Sequence, residues 1–169
     1  MNSNHIKFME LALEEAKKAK ECDEVPIGAI ITIDDKLVAS SFNTVENNKS
    51  SIMHAEIKVI LEAQKKLGNW RLEGCSLYVT LEPCLMCCGA IVLSRIKRLV
   101  YGARDIKTGA VNSLYNILND KRLSRNVEVV AGIMELESSI LLKDFFKEKR
   151  KRKRLMNLRK TYYDHYNHN

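Results

Sequence analysis

The residues with types and spacing suited to chemistry fall in two places. One is His54-Ala55-Glu56; the other, 27 residues after Glu56, is Pro83-Cys84-Leu85-Met86-Cys87. Two cysteines three positions apart in the first turn of a helix share one face. The unpaired N–H groups and helix dipole there favour thiolate over thiol. Zinc takes thiolates, and His54 makes a third ligand. Glu56, two residues past His54, reaches the same site without ligating, as a base for a metal-activated water.

Three readings of these residues remain open. A catalytic zinc uses His54, Cys84 and Cys87 and gives Glu56 a role. A structural zinc needs a fourth ligand; Cys88 is rotated about 100° from Cys87 around a helix, whereas spacing leaves Cys75 available. A redox dithiol leaves His54 and Glu56 without use. Glu56 also has a plainer role as an acid complementing a helix N-terminus, and plain packing accounts for Cys22 and Cys88. The odd count of five cysteines, three of them crowded together, argues against a disulfide framework.

These residues need elements to position them. Residues 5–22 read as an amphipathic helix with Met9, Leu13 and Ala16 on one stripe. Residues 27–33 and 36–42 make a hairpin about Asp34-Asp35. Residues 43–52 read as a loop. Residues 53–67 have helical spacing through Ile57, Ile60, Leu61 and Gln64, with Gly68 as the stop. Residues 76–81 form a buried strand and Pro83 opens a helix. The uncharged 85–93 stretch predicts a helix covered on most sides. Strands at 98–101 and 127–130, with a short helix between them, precede a last helix at 135–150. Strands alternating with helices imply an α/β fold, and the first hairpin makes its sheet mixed.

The chain has 169 residues, the size of one domain. Its composition, 46% hydrophobic and 29% charged, supports a real core. The longest uncharged runs, 83–94 and 108–119, are too short to span a bilayer. The polar start followed by Glu10, Glu14 and Glu15 resembles neither a signal nor a transit peptide, so a cytoplasmic address is expected. The net charge of +7 is local: residues 147–160 hold nine of the 28 basic residues and one of the 21 acidic ones, leaving the remainder near −1. Such a run attracts phosphate backbones or serves as a solvated helix end. The last nine residues, 161–169, read as a mobile tail.

The H-x-E and P-C-x-x-C pair resembles the zinc deaminases, the cytidine deaminase-like superfamily. The match runs wider: VPIGAI (25–30), Asn43, HAE (54–56), LYVTLEPCLMCCGAI (77–91), SRI (94–96), YGARDIKTGAVNSL (101–114) and DFF (144–146) are similar to the bacterial tRNA-specific adenosine deaminases. That resemblance covers roughly residues 5–150. It implies a three-layer α/β/α fold with a five-stranded mixed sheet over a deaminase domain at 1–150, followed by a basic extension at 151–169, expected to be mobile. It also implies a homodimer holding one zinc per chain through His54, Cys84 and Cys87. The expected substrate is the wobble adenosine of an arginine tRNA, converted to inosine by activated water with Glu56 as proton shuttle. Asn43 matches a position contacting the nucleoside, Asp105 a loop position near the target ribose, and Phe145 and Phe146 an aromatic pair near the RNA. Core packing is the alternative for either phenylalanine. Residues 44–53 lack the proline-containing, more basic form of the family's loop, and the extension runs past the family's usual end. Two other functions share these residues: deamination of a free base or nucleoside, and a non-catalytic RNA-binding module with four-ligand zinc.

Overall fold

A computed structural model describes residues 3–123 and 126–166. Helix α1 (Ser3–Glu21) leads into the hairpin of β1 (Gly28–Ile33) and β2 (Lys36–Phe42). Asp34 and Asp35, with φ of 48° and 55°, make the two-residue turn whose left-handed conformations match the strand twist. The chain continues through α2 (Val45–Asn48), α3 (Ala55–Leu67), β3 (Ser76–Leu81), α4 (Leu85–Leu93), β4 (Arg98–Ala103), β5 (Glu128–Ala131) and α5 (Glu135–Tyr166).

The sheet order is β2-β1-β3-β4-β5. β1 is antiparallel to both its neighbours, and β3, β4 and β5 run parallel. Period-two alternation sorts the core into two layers. Ala29, Ile31, Leu77, Val79, Leu99 and Tyr101 meet Ala55, Val59, Ile60 and Ala63 of α3 and Cys88 and Ile91 of α4. Ile30, Tyr78 and Val100, on the opposite face, meet Phe8, Met9 and Ala12 of α1. Buried on both sides, β1 and β3 carry no charge, as sheets covered on two faces require. This is the expected α/β/α sandwich with a five-stranded mixed sheet. α1 crosses β1 so closely that a Cβ on Gly28 would fall within the backbone of Ala12 and Ala16.

Several local expectations are corrected. The 43–52 loop contains the single turn of α2. Pro83 precedes α4 instead of opening it, because Cys84 is the N-cap. The inward stripe of α3 is Ala55, Glu56, Val59, Ile60 and Ala63, with Leu61 turned outward. No helix occurs between β4 and β5 among the described residues; turns occupy that span. α4 is covered as expected at seven of its nine residues, buried or half-buried, but Leu85 and Leu93 at its two ends are exposed. The last helix does not stop at Arg150 but continues to Tyr166, the 147–160 stretch having no glycine or proline to end it. The tail expected at 161–169 ends in residues 167–169, outside the described residues. No described helix is long and apolar enough to cross a membrane.

Candidate active site and metal centre

The site lies where α3 and α4 begin. β3 is flanked by antiparallel β1 and parallel β4, the kind of change in strand direction that opens a crevice at a strand's carboxyl end. The chain leaves β3 at Leu81 and enters α4 with Cys84 as N-cap, while His54 is the N-cap of α3. Both caps have extended backbones, and neither side chain bonds back to its own helix. They face each other instead.

His54 Nδ1 lies 3.7 Å from Cys84 Sγ and 3.5 Å from Cys87 Sγ, and the two sulfurs are 3.7 Å apart. A tetrahedral ion with metal–sulfur bonds of about 2.3 Å and metal–nitrogen bonds of about 2.0–2.1 Å needs edges of roughly 3.8 Å and 3.5 Å. The triangle has that size without adjustment, and two thiolates with one imidazole suit zinc. Among the described residues, only these three of the candidate ligands form such a group. Cys88 Sγ donates instead to Pro83 O. Cys75 is buried before the opposite end of β3, about 20 Å of strand away. Neither supplies a fourth ligand. Cys22 is exposed and does not pack.

The three ligand candidates and Glu56 perturb one another strongly. The Cys84 thiol is drawn down to about 4, first by the hydrogen bond from Cys87 and then, against burial, by His54. The same sulfur contact and burial push Cys87 up, so Cys84 is the first of the pair to ionise. The contact to Cys84 raises His54 despite burial. Glu56 is almost wholly buried on the first turn of α3. Burial pushes its carboxyl up, against its own backbone N–H and the nearby His54. A carboxyl whose burial favours the protonated form is suited to serve as both proton acceptor and donor.

Two loops close on this centre, each held by a buried glutamate absent from the sequence-based site. Glu82, between β3 and Pro83, accepts from the backbone N–H groups of Asp105 (3.1 Å), Val111 (3.1 Å), Asn112 (2.7 Å) and Ser113 (2.9 Å), and from the Ser113 hydroxyl. Burial raises its carboxyl, but these donors together hold it below the usual range. Gly109 bridges Cys84, and a Cβ there would meet the Glu82 carboxylate. Asp105 belongs to this loop; its carboxylate accepts from Lys107 N, Thr108 N and the Thr108 hydroxyl. Glu24 holds the other loop, accepting from Asn43 Nδ2 (3.1 Å), Glu46 N (3.2 Å) and Asn47 N (2.6 Å). Thr44 N donates to Met53 O, which brings the buried Asn43 close to His54 along the chain. A charged residue in an otherwise apolar context, Glu82 after the uncharged β3, was the signal available for that anchor; Glu24, following Glu21 and Asp23, carried no such signal.

Phe145 and Phe146 are not brought to the centre within one chain. They lie on α5, which packs on α1, β3 and β4 but not on α3 or α4. Phe145 is buried with its ring edge-on to the half-exposed Phe146.

This sheet, with its histidine and paired sulfurs at two helix starts, defines a deaminase of the cytidine deaminase-like class. A family model for MafB19-like deaminases matches residues 3–150. A tRNA-specific adenosine deaminase of Bacillus subtilis (strain 168) is 50% identical over 147 residues, covering 87% of this chain and 91% of that protein. A solved structure from a study of A-to-I editing by tRNA:A34 deaminases at the wobble position of transfer RNA superposes with a TM-score of 0.78 at 47% identity, over 80% of this chain and 99% of the other. A guanine deaminase from Nitrosomonas europaea superposes with a TM-score of 0.73 at 26% identity, over 83% of each chain. The chain belongs to the tRNA-specific adenosine deaminase family, and it is a hydrolytic deaminase.

Proposed function

We propose that the chain hydrolyses adenosine to inosine at the wobble position of a tRNA anticodon, an arginine tRNA first among them. The carrying observation is the His54–Cys84–Cys87 triangle, sized for a tetrahedral ion, with Glu56 buried on the same helix turn. His54 Nδ1 and the two sulfurs would hold one zinc per chain, which when bound lowers the pKa of water to about 7. Glu56 accepts the proton of the attacking water and delivers it to N1 of adenine. As the oxygen of that water adds to C6, Glu56 is left ionised; it then takes the remaining proton from the new C6 hydroxyl and passes it to the amine, and the C6–N6 bond breaks to release ammonia. Asn43, held by Glu24, meets the nucleoside, and the 105–113 loop held by Glu82 carries Asp105 beside its ribose. Phe146, exposed on α5, belongs to the RNA-facing part of that helix, with the buried Phe145 packed edge-on behind it. An unpaired anticodon base enters such a pocket at little cost. The substrate places the enzyme in the cytoplasm, and the exposed Leu85 and Leu93 of α4 support a homodimer.

The test is mass analysis of an anticodon stem-loop after incubation, with free guanine, adenosine and cytidine in parallel. Inosine at the first anticodon position, and no turnover of the free compounds, is expected. Turnover of a free compound alone overturns the RNA reading. Glu56→Gln retains one equivalent of zinc and loses at least about 100-fold in turnover; retained activity removes Glu56 from the proton path.

A further inference from the structure

Beyond residue 150, where the family match ends, α5 continues as a single helix to Tyr166. From Lys149 to Lys160 it contains no acidic residue. Every residue from Lys151 to Arg159 is exposed, so this stretch leaves the α/β/α body. Two ion pairs fix its root to the end of α1: Lys20 with Glu148 at 3.0 Å and Arg152 with Asp23 at 2.5 Å. Lys149 lies over the Phe145 ring. The other cations are not used this way. Lys147, Arg150, Lys151 and Arg154, spaced i, i+3, i+4 and i+7, share a helix face rising about 10 Å. They are exposed, and no ion pair to them occurs among the described residues.

We infer that residues 147–160 of α5 form a cationic arm that binds the phosphate backbone of the tRNA outside its anticodon loop. This rests on the tRNA reading above and adds a second contact surface to it. Nine cations over about 20 Å of helix, about one per 2 Å, approach the charge density of a double-stranded nucleic-acid backbone, about one phosphate per 1.7 Å. An anionic membrane is the other polyanion to consider. Leu155, Met156 and Leu158 are exposed within one arc of about 160°, but Arg159 and Arg152 fall between Leu155 and Met156, and Lys151 between Leu155 and Leu158. They form no continuous apolar stripe of the kind that lies in a bilayer interface. The distribution of charge favours the polynucleotide.

The test compares the full chain with Arg150→Gln/Lys151→Gln/Arg154→Gln, which keeps helix propensity, and with a chain ending after Arg150. Binding to intact tRNA and to an isolated anticodon stem-loop is measured across a salt series, beside binding to phosphatidylserine vesicles. For the triple variant, the log–log salt slope on intact tRNA falls by about 2–3 and affinity at low salt by about tenfold or more. The stem-loop, at saturation, is turned over as before. An unchanged slope and affinity, or a loss confined to vesicles, overturns the arm. Absence of inosine in every sample, with the slope change intact, faults only the deamination reading.

Discussion

Glu82 carries out a task no local pattern announces. Its carboxylate gathers four N–H groups and a hydroxyl from residues 23 to 31 positions later, and so fixes the loop that bridges to Cys84. Glu82→Ala leaves those donors without a shared acceptor and costs roughly 2–4 kcal/mol, the scale of buried unsatisfied groups. Chemical denaturation checks this, and unchanged stability would show that the loop holds itself. The candidate metal ligands and Glu56 were legible for the opposite reason. His54, Glu56, Cys84 and Cys87 are constrained by spacing along helix starts, which the chain states in a few letters. Glu24 and Glu82 draw their meaning from distant backbone groups. Spacing left Cys75 open as a ligand; strand length removes it. Asn43 was recognised by resemblance alone, and its partner Glu24 went unseen because the link is a single side-chain bond across 19 residues.

At the scale of elements, the strands were read almost to the residue, because two-sided burial leaves uninterrupted apolar runs and Asp34-Asp35 punctuates the hairpin. The span between β4 and β5 misled because its apolar residues answer to the Glu82 anchor and not to a helical period. The end of α5 misled in another way: an exposed, charged helix has no buried stripe to mark its length. Gly28 shows the reverse, a small residue whose demand comes entirely from packing. With α1 lying against β1 backbone to backbone, Gly28→Ala forces the helix away from the sheet. The cost is about 3 kcal/mol, by the measure of overpacked cores. For a chain of this size that lowers the melting temperature by roughly 6–12 °C. Calorimetry of the two proteins gives the answer; equal melting temperatures would mean that α1 floats on the sheet.

Across the whole molecule, the chain divides its surface by charge and by apolarity. The cations gather on the end of α5, while the uncharged α4 buries only Cys87, Cys88 and Ile91. Leu85 and Leu93 remain 53% and 75% exposed, at the start and end of a helix whose first turn carries the candidate metal ligands. A nine-residue helix without a charge is unusual for a water-facing surface, and in the homodimer proposed above a second copy of the chain would cover its two exposed leucines. Dimerisation through this face would bury both leucines beside the helix turn that carries Cys84 and Cys87. Leu93→Glu places a charge in that contact, which costs several kcal/mol when buried without a partner. Light scattering at micromolar concentration is expected to give a dimer for the natural chain and a monomer for Leu93→Glu, with the α/β/α fold intact by circular dichroism. A monomeric natural chain removes the dimer. A variant that remains dimeric moves the interface away from α4, and the leucines then need another explanation.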